Sequence, residues 1–416
     1  MLQIITSLSV GGAEVMLRNL LRAVKGSDLE FMVVSLTTRS PIGDEIAAMG
    51  IPVVTLEGAG GVLSPPMIAR LFRLAARWNP HLIHGWMYHA NLAAFAVSLL
   101  PRLHRPALIT SVRGALDAPD KQKRLLRFVR RLDAAASRRA DAVVFNSVKS
   151  AKQHVAAGYD GGRIHVIPNG FDSSRFRPSP QAGAALRGGW GVAQEPLIGV
   201  VGRFHPVKGH RGFLEAAALV SRKRPDCKFV LVGKGCEESN KILMGWLSEL
   251  DLGHRFLLLG ERQDVCDIDC ALDIAVSSSL SESFPNAIGE AMSCAVPAVV
   301  TDVGDCATLV GDAGVAPRDA AGLAEGILRL LDMGAECWSN WAGARGCASN
   351  SIICCPSWHP DLPTCTEAAS RADALEASAV ADRRERGVVL PFAPFAGCVG
   401  GKAGGIRRSR GVRRGC

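Results

Sequence analysis

Short β-rich runs alternate with longer amphipathic stretches along most of this chain, and the whole alternation occurs twice. The first set of β-rich runs lies at residues 4–5, 31–35, 53–55, 82–84, 108–110, 142–145 and 164–167. The second set lies at residues 197–201, 229–232, 256–259, 274–276 and 298–301. Alternation of this kind is typical of a parallel sheet covered by helices. The sequence therefore predicts two α/β halves in succession.

The length and the break in the pattern indicate the domain organisation. A chain of 416 residues with 48% apolar content is long enough for two cores. A stretch rich in Pro, Gly and Ser interrupts the alternation after residue 167. We predict a Rossmann-like domain over 1–170, a linker over 171–190, a second Rossmann-like domain over 191–336, and an atypical, disordered tail over 337–416. Because ligands of such sheets bind beyond the carboxyl ends of the strands, the two domains are predicted to face one cleft.

Location and cysteine usage set further expectations. No segment approaches the ~18 consecutive apolar residues of a membrane span, and the chain starts almost directly on a strand-like run without the features of a signal peptide. We therefore expect a cytoplasmic protein. Cys266 and Cys270 are four residues apart but have no second pair of ligands, which favours helix thiols over a zinc site. The nearby Asp267 and Asp269 are predicted to cap a helix rather than to bind a metal.

The run from Glu282 to Glu290 places two carboxylates eight positions apart around a turn that opens an Ala-rich helix. The segment Phe284-Pro285-Asn286 is predicted to present free backbone N–H groups at the helix start, where partial positive charge favours a phosphate. Glu290 lies about two turns further on and is predicted to accept both hydroxyls of a ribose. The spacing alone fits an ordinary loop–helix junction with two solvated glutamates equally well.

Two cations follow the first strand of the second half. Arg203 and Lys208 lie on a loop with Gly202 and Gly209. Cations at a strand end neutralise a diphosphate, and glycines allow close approach of the backbone. The alternative, for this motif taken alone, is a solvated basic loop.

The first half offers its own strand-end residues. Gly11 and Gly12 follow the first strand and open a helix, where a phosphate or an acceptor hydroxyl can approach the N-terminus. His89 is predicted to hydrogen-bond a sugar hydroxyl or to take part in proton transfer, in preference to His84, because it lies further beyond its strand. Arg113 follows the next strand and is predicted to meet the acceptor or a phosphate.

Residues 121–131 combine Lys and Arg with Leu125, Leu126, Phe128 and Val129. Such a basic amphipathic helix is able to lie on an anionic membrane surface near a lipid-linked acceptor, although a solvated helix face is the commoner explanation. The Arg-rich end at 407–414 has the composition of a disordered tail, and we expect no nucleic acid as a partner.

With these residues in place, the chain resembles family 4 of the retaining glycosyltransferases, which have the two-domain GT-B fold. The resemblance covers about residues 3–335 and looks most like the branch that builds bacterial surface polysaccharides. It is carried by Gly11 to Glu14, Trp86 to Asn91, Phe145 to Ser147, Val166 to Asp172, Gly202-Arg203 with Lys208-Gly209, Glu282 to Glu290, Ala295 to Pro297 and Thr301 to Gly304.

The resemblance implies a nucleotide diphosphate sugar, UDP-linked, in the second domain and an acceptor that enters from the first. It implies that Arg203 and Lys208 bind the diphosphate and that Glu290 binds the ribose. It also implies that Glu282 and the following amides bind the sugar, that Gly12 lies near the phosphates, and that His89 lies beside the transferred sugar. Retention without a protein nucleophile lets the leaving phosphate take the acceptor proton, so the protein contributes positioning and charge stabilisation. No metal or other cofactor is implied.

The chain departs from the family after residue 336. There the family expects a helix that crosses back to the first domain, whereas this chain is rich in Cys and Gly. A shift of the reading frame near residue 336 restores a helix-forming sequence, so a frameshift is a hypothesis that resequencing tests. Loss of the crossing helix is expected to loosen the two domains. Three interpretations of the function stay open: an active retaining glycosyltransferase, a nonenzymatic remnant that still binds nucleotide sugar, and a sugar-nucleotide epimerase.

Overall fold

The structure, a computed structural model, describes residues 1–58, 64–101, 103–116, 124–311, 315–316 and 319–343, with residues 315–316 and 334–343 described by their backbone alone. Within these ranges the chain forms two separate parallel sheets, each covered by helices. The predicted fold class, α/β with two Rossmann-like halves, is confirmed. None of the helices in this part of the chain combines the length and apolar character that crossing a membrane requires.

The first sheet has seven parallel strands in the order β3-β2-β1-β4-β5-β6-β7. Its strands are β1 (Leu2–Ile5), β2 (Met32–Ser35), β3 (Val53–Thr55), β4 (Leu82–Trp86), β5 (Ala107–Val112), β6 (Ala142–Phe145) and β7 (Ile164–Val166). Every residue of β1, β4 and β6 is buried, as expected for strands with helices on both faces. All of the β-rich runs noted in this half form strands.

The helices of the first half are α1 (Gly12–Ala23), α2 (Ser40–Ala48), α3 (Pro65–Trp78), α4 (Tyr88–Ser98), α5 (Arg124–Ser137) and α6 (Val148–Ala156). Local sequence sets several of their ends. Proline fits the first turn of α3, and Asn79 ends that helix in the left-handed conformation, with φ of 48°. Ser147 caps α6 by accepting from the N–H of Ser150.

The second sheet has six parallel strands in the order β10-β9-β8-β11-β12-β13. Its strands are β8 (Leu197–Val201), β9 (Lys228–Val232), β10 (Phe256–Leu258), β11 (Ile274–Ser277), β12 (Ala298–Thr301) and β13 (Val315–Ala316). Its helices are α7 (Pro180–Gly189), α8 (His210–Lys223), α9 (Lys241–Glu249), α10 (Val265–Ala271), α11 (Asn286–Ser293), α12 (Cys306–Val310) and α13 (Ala320–Gly343). The two-residue β13 is the one strand of this sheet that the sequence did not predict.

Helix α13 covers one face of the second sheet. Leu323, Ile327 and Leu331 recur every four residues and are buried against the core of this half, which gives the helix its apolar face. The helix continues to Gly343, so the first seven residues of the predicted tail belong to it. Residues 344–416, the remainder of that tail, lie outside the described residues, and the frameshift hypothesis stays a hypothesis.

The predicted linker over 171–190 needs a correction, because about half of it is helix α7. This helix packs so closely on α10 that a Cβ on Gly183 would lie 2.2 Å from the carbonyl oxygen of Cys270. Pro180 at its first turn starts the helix despite the local content of Gly. Phe171 and Phe176, before α7, are also buried. The segment therefore packs against the second half instead of spanning two halves as a free connection.

Candidate active site

Both sheets reverse their strand order once, and the predicted site residues follow the strands at these two switch points. In the first half the reversal lies between β1 and β4, which precede Gly12 and His89. In the second half it lies between β8 and β11, which precede Lys208 and Glu282. Connections leave such a point toward opposite faces of the sheet, which opens a crevice at the carboxyl ends of the strands.

Lys208 and Glu282 form an ion pair at the second switch point. The Lys208 Nζ lies 2.5 Å from the Glu282 Oε1, and the two side chains are 28% and 17% exposed. The loops that carry them are joined by backbone: the Leu280 N–H donates to the Val207 carbonyl at 2.7 Å, and the Ser278 Oγ donates to the Lys208 carbonyl at 2.9 Å. The pair is therefore held by two loops that brace each other.

Two glycines make this close packing of loops possible. Gly209 has φ of 63°, and a Cβ there would lie 2.0 Å from the Ser278 carbonyl oxygen. Gly304 has φ of 50°, and a Cβ there would lie 2.0 Å from the Glu282 carbonyl oxygen. Both positions need glycine for conformation and for space. Arg203, on the loop that follows β8, is exposed at the same edge of the sheet.

The start of α11 differs in detail from the prediction. Pro285 precedes the helix and has no N–H, and the Asn286 N–H bonds the Phe284 carbonyl at 3.1 Å. The prediction that Phe284-Pro285-Asn286 presents free amides is therefore wrong at Pro285 and Asn286. The helix leaves the amides of Ala287 and Ile288 without an intrahelical partner. The Phe284 ring stacks on Phe171, with centroids 6.2 Å apart, and so fixes the turn by packing.

Side chains of the two halves meet at this helix start. The Asn169 Nδ2 donates to the Asn286 Oδ1 at 2.6 Å, and the Arg113 Nη1 donates to the Asn169 Oδ1. The Arg113 guanidinium lies over the Trp86 ring, 4.7 Å from its centroid, and burial lowers the pKa of Arg113 to about 10. A Cβ on Gly12 would lie 3.3 Å from the Asn286 Nδ2. The structure thus brings Gly12, Arg113 and Asn286 into one contact network.

Glu290 lies one turn after Asn286 on α11. Burial raises the pKa of Glu290 to about 7, and the nearby guanidinium groups of Arg175 and Arg18 oppose that rise. Because Arg18 belongs to α1, Glu290 is within electrostatic reach of the first half. Asp269 was predicted to cap a helix, which is wrong: it lies inside α10 and is fully buried.

The two histidines of the first half occupy different environments. His84 lies within β4, buried, with its Nε2 2.6 Å from the Ser111 Oγ. His89 is half-buried in the first turn of α4, beyond the carboxyl end of β4, and burial lowers its pKa. Met87, with φ of 71°, accepts at its sulfur from the Arg113 N–H at 3.3 Å. This contact places the β4–α4 turn beside Arg113, and the role predicted for His89 stays a prediction.

Gly11 is the residue before α1, in extended conformation. A Cβ on Gly11 would lie 2.5 Å from the Glu14 Oε2, because that carboxylate folds back over the helix start. The Glu14 Oε1 accepts from the Ser7 Oγ at 2.9 Å. The local sequence thus fixes the approach to α1, and Gly12 is the more exposed of the two glycines.

Sequence reasoning missed the polar residues that join the halves. The Asp305 carboxylate accepts from the backbone N–H groups of Val148 at 2.7 Å and of Lys149 at 3.1 Å, at the start of α6. The Ser283 Oγ donates to the Asn146 Oδ1 at 2.7 Å. Asn146 and Asp305 stand in or beside the motifs quoted above, but their partners are more than a hundred residues away along the chain.

The two halves each match a family model of known proteins. Residues 10–175 match Glycosyltransferase Family 4, and residues 195–333 match Glycosyl transferases group 1. The UDP-Gal:alpha-D-GlcNAc-diphosphoundecaprenol alpha-1,3-galactosyltransferase of Escherichia coli is 36% identical over 147 residues, which are 35% of this chain and 38% of that protein. The D-inositol 3-phosphate glycosyltransferase of Nocardia farcinica is 28% identical over 301 residues, 68% of this chain and 62% of that protein. The chain thus matches less than two thirds of the length of either relative.

A solved structure shares the arrangement of both sheets. The crystal structure of Anabaena HepE in complex with UDP superposes with a TM-score of 0.75 at 23% sequence identity, covering 90% of this chain and 99% of that one. At this identity the likeness is one of fold. Since both halves match their family models and share this two-domain fold, the chain belongs to the family 4 glycosyltransferases and has the GT-B fold.

Proposed function

We propose that this protein is a retaining glycosyltransferase that moves a sugar from a UDP-linked donor to a glycan or lipid-linked acceptor in the synthesis of a polysaccharide. One observation carries the proposal. The Lys208–Glu282 ion pair lies at the second switch point, and Glu282 precedes α11. The first residue of that helix, Asn286, packs beside Gly12 of the first half. Cationic, acidic and glycine residues from both halves therefore surround one crevice.

The donor is assigned to the second half. Lys208 and Arg203 bind the diphosphate, together with the amides at the start of α11. The diphosphate takes the place of Glu282 beside Lys208, which leaves the Glu282 carboxylate to accept from sugar hydroxyls. Glu290, ionised, accepts from the two ribose hydroxyls, and Gly12 leaves room for the phosphates.

The chemical step needs positioning and charge stabilisation. The acceptor oxygen attacks on the face from which the diphosphate departs, and the departing phosphate takes the acceptor proton. Arg203 and Lys208 stabilise the negative charge that develops on that phosphate. His89 lies on the acceptor side, and its lowered pKa keeps the imidazole neutral, so it hydrogen-bonds a sugar hydroxyl without adding charge. Arg113, oriented by Asn169, faces the acceptor or a phosphate.

The printed names of the relatives support this choice of substrates. The Escherichia coli relative is named for UDP-Gal as its donor and for a sugar linked to diphosphoundecaprenol as its acceptor. The Anabaena HepE crystal holds UDP. We extend the same chemistry to this chain: a UDP-linked donor, a lipid-linked or glycan acceptor, a cytoplasmic location and no metal in the transfer step.

Transfer assays with matched variants test the proposal. Purified protein is incubated with UDP-linked sugars and with undecaprenyl-diphosphate-linked acceptors, and Lys208→Ala or Glu290→Ala is expected to lower transfer by at least about tenfold. Lys223→Ala is the matched control, since Lys223 ends α8 and so lies at the opposite edge of the sheet. Donor binding without transfer would favour a nonenzymatic protein that still binds nucleotide sugar. Interconversion of donor sugars without acceptor would favour an epimerase, and either result would overturn the proposal.

Helix α5 supports a peripheral contact with an anionic membrane. Leu125, Phe128 and Leu132 lie on one stripe of this helix and are 55%, 56% and 44% exposed. Exposed Arg127 and Arg131 flank the stripe, and the buried face of the helix is elsewhere. An apolar stripe bordered by cations fits the surface of a bilayer that contains anionic lipids. Residues 121–123 of the predicted segment lie outside the described residues.

Vesicle binding tests this contact. The protein is expected to co-sediment with vesicles that contain phosphatidylglycerol and to leave them at high salt, whereas the double variant Phe128→Ser/Leu132→Ser is expected to bind much less. Ile242→Ser is the control, because Ile242 is 59% exposed on α9 of the other half. Equal binding by the double variant and the control would show that α5 is a solvated helix face.

A further inference from the structure

Three cysteine side chains of the second half lie against one another. Cys266 and Cys270 are four residues apart on α10 and so share a face, and Cys294 ends α11. Their sulfur atoms all lie within 4.8 Å of one another, and the Cys266 and Cys294 sulfurs are 4.0 Å apart. Cys294 is buried, while the other two are half-buried. Sequence spacing revealed only the pair on α10, since the third thiol comes from another helix.

The separations fit one cation better than a disulfide. A thiophilic cation with metal–sulfur bonds of about 2.3 Å places its thiolates about 3.8–4.0 Å apart. The observed sulfurs are at that distance or within about an ångström of it, which small side-chain rotations of the half-buried pair cover. A disulfide requires sulfurs about 2 Å apart and joins only two of the three.

The three thiols lie beside backbone carbonyl oxygens and one buried acid. The Cys266 and Cys270 thiols donate to the carbonyl oxygens of Arg175 and Arg177, at 2.9 and 3.4 Å. Asp269, next to Cys270, is fully buried, and in the described part of the chain neither of its carboxylate oxygens has a hydrogen-bond partner. Asp269 also lies within electrostatic reach of Cys294. Binding of a cation as three thiolates would replace these thiol-to-carbonyl hydrogen bonds by metal–sulfur bonds, and Asp269 stays outside the set of ligands.

We propose that Cys266, Cys270 and Cys294 bind one thiophilic d10 cation, of the class of Zn²⁺, Cd²⁺ and Cu⁺, as three thiolates. Each thiol gives its proton to solvent when it binds. The bound cation joins the C-terminal end of α11 to α10. The Cys294 N–H bonds the Glu290 carbonyl at 3.2 Å, so the site lies one turn behind Glu290 and apart from the Lys208–Glu282 pair. Three thiolate ligands select soft cations.

Cadmium binding tests the site in the full chain. The seven remaining thiols beyond residue 336 are first replaced by serine, at Cys337, Cys347, Cys354, Cys355, Cys365, Cys398 and Cys416. In this background one equivalent of Cd²⁺ is expected to produce a sulfur-to-cadmium charge-transfer band, and a large excess of Zn²⁺ is expected to weaken that band by displacing Cd²⁺. Cys266→Ser, Cys270→Ser and Cys294→Ser are each expected to weaken binding by at least about tenfold. Cys227→Ser and Cys236→Ser, which replace buried thiols elsewhere in the same half, are expected to leave it unchanged.

A second measurement needs no variant in the cluster. Saturating Zn²⁺ is expected to slow the alkylation of Cys266 and Cys270 by iodoacetamide, read peptide by peptide by mass spectrometry. Absence of this protection, equal cadmium binding by the triple serine variant, or a disulfide between two of the three residues in the isolated protein would each overturn the proposal.

Discussion

Asn169, just beyond the last strand of the first half, donates to Asn286, the first residue of α11, across 2.6 Å. The same Asn169 accepts from Arg113. A single amide side chain therefore connects the residue proposed to face the acceptor with the helix proposed to bind the donor. Both polar atoms of the Asn169 amide form hydrogen bonds, since its nitrogen donates to Asn286 of the second half and its oxygen accepts from Arg113 of the first half.

We expect the effects of Asn169→Ala and Asn286→Ala on kcat/KM to be non-additive. Either change removes the same hydrogen bond, so a double-mutant cycle should give a coupling energy of about 0.5–1.5 kcal/mol. The control cycle pairs Asn169→Ala with Asn240→Ala, which removes a helix cap of α9 in the same half as Asn286. That cycle should be additive within about 0.5 kcal/mol. Additivity in both cycles would show that catalysis does not use the contact.

Asp305 and Asp302 offer a matched pair of acids that reach the same helix. Asp305 is buried and accepts from two backbone N–H groups at the start of α6, whereas Asp302 pairs with Lys149 at the surface. Asp305→Ala is expected to cost about 1–2 kcal/mol, since it removes charge-assisted bonds at a helix N-terminus. Asp302→Ala is expected to cost less than about 0.5 kcal/mol.

Thermal unfolding measures both costs, and small-angle scattering shows whether the halves separate. A larger radius of gyration is expected for Asp305→Ala alone, because its bonds join the two halves. Equal behaviour of the two variants would mean that the buried acid does not hold the halves together.

Gly304→Ala is expected to disturb Glu282 through the backbone. The new Cβ would lie 2.0 Å from the Glu282 carbonyl oxygen, at a φ of 50° that side chains rarely adopt. We expect a loss of about 1–3 kcal/mol of stability together with weaker donor binding. Gly212→Ala is the control, because a Cβ at this position of α8 meets nothing within 4 Å and should stabilise the helix by about 0.5–1 kcal/mol. Unfolding curves of the two variants should therefore shift in opposite directions.

The fold was predictable because each strand is indicated by residues that are neighbours in the sequence. A parallel strand covered on both faces must be a short apolar run, and all of the runs noted in the sequence became strands. The strand β13 has only two residues, too few to form such a run. Helix α7 was missed because its three glycines suggested a linker, whereas close packing against Cys270 requires one of them, Gly183.

The site was predictable only in part, since its contacts join distant segments. Gly12, Lys208 and Glu282 were found from strand-end motifs, and they follow the strands at the two switch points. No local pattern shows that Asn169 contacts Asn286 or that Asp305 caps a helix of the other half. Such contacts depend on how the halves meet.

Glu290 is expected to make donor binding depend on pH. The role proposed for Glu290, as an acceptor of ribose hydroxyls, needs the ionised form, and burial raises the pKa of Glu290 to about 7 in the free protein. A UDP-sugar, whose diphosphate stays ionised throughout, should therefore bind about tenfold more weakly at about pH 6 than at about pH 8. Glu290→Gln should bind weakly and without this dependence in titration calorimetry. A wild-type affinity that is independent of pH would contradict the role given to Glu290.

The same raised pKa makes a prediction for the stability of the free protein. The unfolded chain releases the Glu290 proton near its ordinary pKa of 4.5, while the folded chain keeps it to about 7. The wild type is therefore expected to lose on the order of 1–3 kcal/mol, relative to Glu290→Gln, as the pH rises between those values. Glu325→Gln, at an exposed position of α13, should follow the wild type. Parallel curves for wild type and Glu290→Gln would contradict the prediction.

Glu282→Gln is expected to separate binding of the nucleotide from transfer of the sugar. In the free protein the Glu282 carboxylate lies 2.5 Å from the Lys208 ammonium. In the proposed site it would compete with an incoming diphosphate. Without that negative charge, UDP should bind about three- to tenfold more tightly at low salt, and the gain should shrink as salt screens it. Transfer should nevertheless fall by at least about tenfold, because the glutamine amide lacks the negative charge and keeps only one of the two oxygens that would accept from the sugar hydroxyls.

Calorimetry with UDP at low and high salt, together with single-turnover transfer, measures both effects of Glu282→Gln. Lys208→Ala should instead weaken UDP binding, and Lys223→Ala, at the far end of α8, should change neither quantity. Weaker UDP binding by Glu282→Gln would mean that Glu282 orients Lys208 for the diphosphate. In that case the ion pair would persist in the complex, and the sugar hydroxyls would need a different acceptor.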